Sequence, residues 1–103
     1  MEYVLAVLNE YLPEISKWID YQTAEKLKAY SGDDKDLANH FHYMLGMNLR
    51  AEFLQYDMPV YMAFLNAGLY LEEHMCILML MYLRKLLQEG KLVIPKPEDE
   101  PTE

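Results

Sequence analysis

Apolar residues recur along most of the chain at the three- and four-residue spacing of amphipathic helices, and no segment alternates as a strand would. In residues 2–11, Val4, Leu5, Leu8 and the following Leu12 share one stripe. Pro13 suits the first turn of a second helix, where a missing N–H sacrifices no helix hydrogen bond. That helix, about 13–21, is expected to turn Ile15, Trp18 and Ile19 inward. Thr23 reads as the N-cap of a short continuation through Tyr30, closed by Ser31 and Gly32. The run Asp33–Asp36 then supplies capping oxygens and negative charge, both favourable at a helix N-terminus.

A third helix is predicted from there to about Tyr56, with Leu37, Phe41, Leu45 and Leu49 four residues apart. Asp57 and Pro59 restart the chain as a fourth helix ending near Asn66–Gly68. The last helix, about 71–89, carries Leu71, Met75, Leu78, Tyr82 and Leu86 on one stripe, and Gly90 stands where a C′ glycine belongs. Its middle is apolar on all sides, which places it at the centre of the bundle. Leu92–Ile94 are expected to pack back onto the body. The expectation is an all-α fold: a compact bundle of four to five helices forming one domain over residues 1–94. A disordered, proline- and acid-rich tail should follow at 95–103.

Composition narrows the function classes. The longest apolar run, Met75–Leu83, spans nine residues between charged neighbours. A membrane-crossing helix needs roughly 18 or more. The start has an acid at position 2 and no basic region before its apolar stretch, so it does not read as a signal peptide, and a cytoplasmic protein is expected. A single cysteine, Cys76, excludes an internal disulfide. The net charge is −8, and residues 1–90 hold 13 acids against 7 bases. Such a surface repels phosphate backbones, so direct nucleic-acid binding is not expected. A basic protein partner, or mimicry of a nucleic acid by scattered carboxylates, remains compatible with it.

Residues 39–53, NHFHYMLGMNLRAEF, place polar groups inside an apolar helical run. His42, Gly46 and Arg50 are four apart and form a ladder that drifts only about 40° per step. A glycine in a helix interior costs about 1 kcal/mol relative to alanine. Close approach of a neighbouring helix would offset that cost. Arg50 is expected to pair with Glu72 or Glu73 at the start of the last helix. The ladder is therefore read as a polar seam between two helices, with a ligand or catalytic pocket built on His42, Arg50 and Glu73 as the alternative.

Phe41–Ala51, FHYMLGMNLRA, resembles the signature helix of a family of small, uncharacterised bacterial all-helical domains, roughly F-H-x-x-L-G-M-x-[IL]-R. The likeness covers Phe41, His42, Leu45, Gly46, Met47 and Arg50. Ala67–Met75 is similar to a second, weaker block of the same family. Asn48 stands where a tryptophan is usual, and Ala51 where an asparagine is usual. The resemblance implies a helical fold and a seam; it carries no activity.

Other chemistries fit poorly. His40 and His42, like His74 and Cys76, are two residues apart and point about 200° apart on a helix, so no metal site is expected. Cys76 lies in the apolar run, where burial makes a thiol unreactive. No glycine-rich phosphate loop is present. Neither a cofactor nor enzymatic activity is therefore expected. Recognition remains: Tyr56, Met58, Tyr61, Met62, Phe64 and Tyr70 crowd into one short helix and its flanks, more than one helix face can bury, and Tyr56, Met58, Tyr61, Met62 and Tyr70 are the candidate contact residues. Tyrosine and methionine suit adaptable protein interfaces. The chain is read as a protein-binding module of inhibitor, immunity or antitoxin type, and self-association through the same surface is equally compatible.

Overall fold

The computed structural model describes residues 2–97. It is all-helical, with seven α-helices among the described residues: α1 (Glu2–Glu10), α2 (Leu12–Ser16), α3 (Tyr21–Ala29), α4 (Leu37–His40), α5 (Met47–Phe53), α6 (Pro59–Asn66) and α7 (Glu72–Gln88). A 3-10 turn, Asp34–Asp36, leads into α4, and a π turn, His42–Gly46, joins α4 to α5. This exceeds the four to five helices expected. The long third helix divides at the π turn and stops at Phe53 rather than Tyr56, and the second helix ends at Ser16 rather than 21.

α7 is the central element. Seven of its residues are buried: Met75, Cys76, Met79, Leu80, Leu83, Leu86 and Leu87. It packs against α3, α4, the 3-10 turn and α5, while α1 lies on α6 and α2. The core joins Val4, Val7 and Leu8 of α1 to Phe41, Leu45, Phe64 and the inner face of α7. Leu71 at the start of the predicted stripe stays 60% exposed, and Leu5 of α1 is 38% exposed. In α1 the third inward position is Val7 instead.

Helix ends follow local chemistry. Pro13 and Pro59 occupy the first turns of α2 and α6. The N-cap of α3 is Asp20 and not Thr23: its extended backbone frees Oδ1 to accept the Thr23 N–H at 2.7 Å. Thr23 is thereby carried into the first turn and buried. That hydrogen bond also holds the Asp20 carboxyl below the usual carboxylate range. Gly90 has φ +73, and the N–H groups of Gly90 and Lys91 donate to the carbonyls of Leu87 and Leu86. This paired closure needs a left-handed residue, which glycine adopts without strain. Gly68 closes α6 in the same way.

Long-range side-chain ties fix α7 to the first half of the chain, among them the hydrogen bond that the Tyr82 hydroxyl donates to Asn9 Oδ1. Arg84 Nη2 donates to Asp34 Oδ1 at 2.6 Å, and Gln88 Nε2 donates to the Lys28 carbonyl at 3.0 Å. After α7, Leu92 and Ile94 are half-buried against the core as expected, whereas Val93 is 73% exposed. Of the predicted tail, residues 95–97 carry no regular structure and 98–103 lie outside the described residues.

Candidate functional site

The polar ladder forms where the third helical segment changes its winding. Leu37, Phe41, Leu45, Leu49 and Phe53 follow at strict four-residue intervals, and all are buried. On a regular helix each such step advances about 40°, so the last residue would sit about 160° from the first. One wide turn removes much of that drift. The N–H groups of Leu45 and Gly46 both donate to the Phe41 carbonyl at 2.8 Å, and the Met47 N–H reaches the His42 carbonyl. Two consecutive residues, Leu45 and Gly46, therefore face the core.

Gly46 lies against α7 at Cys76. A Cβ built at this position would lie 3.6 Å from Cys76 Sγ, 3.5 Å from the Phe41 carbonyl oxygen and 3.7 Å from that of Ala38. These are ordinary contact distances. The junction is close, yet it leaves room for one methyl group, so the absence of a side chain is not strictly demanded by packing.

Arg50, one turn further on, spans the junction. Its Nη1 lies 3.8 Å from Glu72 Oε1, so of the two carboxylates expected to pair with it, Glu72 does so. Glu73 is exposed and makes no ion pair among the described residues. Arg50 Nε is buried and has no hydrogen-bond partner among the described residues. The guanidinium lies beside Cys76, whose thiol is fully buried. Burial pushes the Cys76 thiol up from its ordinary value, and the neighbouring Arg50 charge partly opposes that rise. A protonated, enclosed thiol of this kind is unreactive. The first member of the ladder, His42, is half-buried with its ring 4.8 Å from that of Tyr43. The structure thus brings together Gly46, Arg50, Glu72 and Cys76, and leaves Glu73 outside the cluster.

The predicted recognition segment divides between core and surface. Val60, Ala63 and Phe64 anchor α6, with Phe64 fully buried. Met58, Tyr61 and Met62 are half-buried. Tyr56 and Tyr70, in the chain on either side of α6, are 80% and 72% exposed. Asp57 makes the bend before α6 with φ +74, a conformation that aspartate tolerates better than most residues.

Grooves among the described residues open elsewhere on the surface, three of which stand out. One, of about 230 Å³, lies between α2 and the α5–α6 connection and is lined by Tyr11, Trp18, Phe53 and Met58, with Glu14 and Glu52 among its charged residues. A second, about 210 Å³, is almost wholly apolar and runs between α1 and α7 past Leu5, Leu78 and Met81. A third lies under the Leu92–Ile94 segment, against α3. None of the three includes His42, Arg50 or Glu73. Trp18, expected to face inward, lines the first groove at 39% exposure because α2 ends two residues earlier.

Among the described residues, no group of three or more His, Cys, Asp or Glu side chains could hold a metal ion, and no helix is long and apolar enough to cross a membrane. No family model matches the chain, and no curated protein or solved structure does either.

Proposed function

We propose that this protein is a small acidic binding module that acts by covering a surface of a protein partner. The observation that carries the reading is the exposure of Tyr56 and Tyr70 at the two ends of a helix anchored through Val60, Ala63 and Phe64. Large aromatic side chains held on a packed scaffold lose little entropy on binding and dominate interface energetics. Met58, Tyr61 and Met62 extend the patch with adaptable, partly accessible area. The net charge of −8 favours a basic partner and would speed its approach.

The mode is steric occlusion, as in inhibitors, immunity proteins and antitoxins, and a second copy of the chain is the competing occupant. The likeness of Phe41–Ala51 to the helix of small bacterial domains belongs to the same proposal: it concerns the scaffold behind the patch rather than a reaction. Affinity capture from the native cell with the parent and with the Tyr56→Ala/Tyr70→Ala variant tests the reading. The expected result is a partner retained by the parent and lost by the folded variant. Equal retention by both would remove this patch from the interface.

A further inference from the structure

The groove of about 230 Å³ between α2 and the α5–α6 connection combines two features that favour one kind of side chain. Its walls include Tyr11, Trp18 and Phe53, and its charged residues are Glu14, Glu52 and Lys17. Neither Glu14 nor Glu52 forms an ion pair among the described residues, so both carboxylates are available to a visitor. Trp18 keeps 39% of its surface open, although Ile15 and Ile19 beside it in sequence are buried. An aromatic face attracts a cation through its quadrupole, and it attracts a flat guanidinium best because that group also stacks. Carboxylates beside such a face add hydrogen-bonding charge for the same group.

Size selects the occupant further. Sites for free small molecules usually occupy about 300–1,000 Å³. This groove is smaller and open, which suits one side chain presented by a polypeptide. We propose that it receives an arginine side chain from a basic segment of the protein partner, stacked on Trp18 with its guanidinium facing Glu14 and Glu52. The inference rests on the protein-binding reading above and names the chemistry of the partner.

Trp18 is the chain's one tryptophan, so its emission reports on the groove directly. The probes are blocked pentapeptides Gly-Ser-Xaa-Ser-Gly, with arginine, citrulline or norleucine at the centre. The arginine peptide should give a saturable change at millimolar concentration, weakened by added salt. The citrulline peptide keeps the shape without the charge and should bind at least about three-fold more weakly. Glu14→Gln/Glu52→Gln should weaken the arginine peptide about five-fold, whereas Glu2→Gln/Glu25→Gln, with the same change in net charge, should leave it unaltered.

The proposal falls if no saturable change occurs, if norleucine binds as well as arginine, or if the Glu14→Gln/Glu52→Gln variant binds like the parent. All of these side chains are exposed, so the variants should fold, and circular dichroism checks that they do. Capturing the native partner with the same variants separates the two claims. Capture that survives Glu14→Gln/Glu52→Gln but not Tyr56→Ala/Tyr70→Ala overturns the groove and leaves the module; capture indifferent to Tyr56→Ala/Tyr70→Ala overturns the patch.

Discussion

Gly46 gives a graded test of the helix junction. Its backbone is ordinary right-handed helix, φ −57 and ψ −42, so alanine can adopt it without strain. The added Cβ would rest 3.5–3.7 Å from its nearest neighbours, close enough for dispersion and too far for a clash. Replacing a mid-helix glycine by alanine recovers about 1 kcal/mol of helix propensity. Contact with two carbonyl oxygens offsets part of this, so Gly46→Ala should stabilise the fold by about 0.5–1 kcal/mol. In a domain of this size that corresponds to a rise of about 2–8 °C in Tm. Gly46→Leu places three further carbons where Cys76 and the Phe41 backbone already stand, and such overpacking costs about 1–3 kcal/mol. Urea unfolding followed through Trp18 emission and far-ultraviolet circular dichroism measures both. A loss of more than about 1 kcal/mol for Gly46→Ala would mean that the π turn itself demands glycine. Tolerance of Gly46→Leu would mean that no helix lies across the site.

Arg50 contributes apolar shank and one long ion pair while leaving Nε without a partner, so Arg50→Met should stay within about 1 kcal/mol of the parent, and Arg50→Ala should cost about 1–2 kcal/mol in the same urea titration. A Met variant that folds normally but loses partner binding would instead give Arg50 a functional role. For Cys76 the folded state holds its thiol proton more tightly than the unfolded chain does. Stability should therefore be full below the ordinary thiol range and decline as pH rises through it, more steeply in the parent than in Cys76→Ala. Asp20→Ala should cost about 1 kcal/mol through loss of the α3 cap. Because the Asp20 carboxyl is held low in the fold, the difference from the parent should persist above about pH 4 and vanish as pH falls through the folded-state value, which parallel urea titrations would show.

How far residues could be read without coordinates depended on the range of the interaction. Pro13, Pro59 and Gly90 act within one helical turn, and each stands where local chemistry put it. The partner of Arg50 was legible only as one of two adjacent acids, Glu72 or Glu73, because the pattern places both at the start of the last helix and only the coordinates separate them. Asp20 displaced Thr23 as the cap because both residues carry suitable oxygens, and only backbone conformation separates them.

The π turn did leave a trace in the chain. Leu37, Phe41, Leu45, Leu49 and Phe53 repeat every four residues rather than every 3.6 on average, and on a straight helix the five would spread over about 160°. That spacing looks like an ordinary amphipathic stripe until the accumulated angle is summed. Arg84 and Asp34 are 50 residues apart, and no local pattern pairs them. The density of aromatic and methionine residues around α6 did not say how they would divide between core and surface. Phe64 became core on the face of α6 that packs on α1, while Tyr56 and Tyr70, outside the helix, stayed open.

A double-mutant cycle between Gly46 and Cys76 examines the junction most directly. Gly46→Leu, Cys76→Ala and the pair are compared by urea unfolding. If Gly46 faces Cys76 across the two helices, shortening the cysteine makes room for the leucine, and the pair should be at least about 1 kcal/mol more stable than the sum of the single effects. Additivity within about 0.5 kcal/mol would show that the two positions do not touch, and the polar ladder would then need a different explanation.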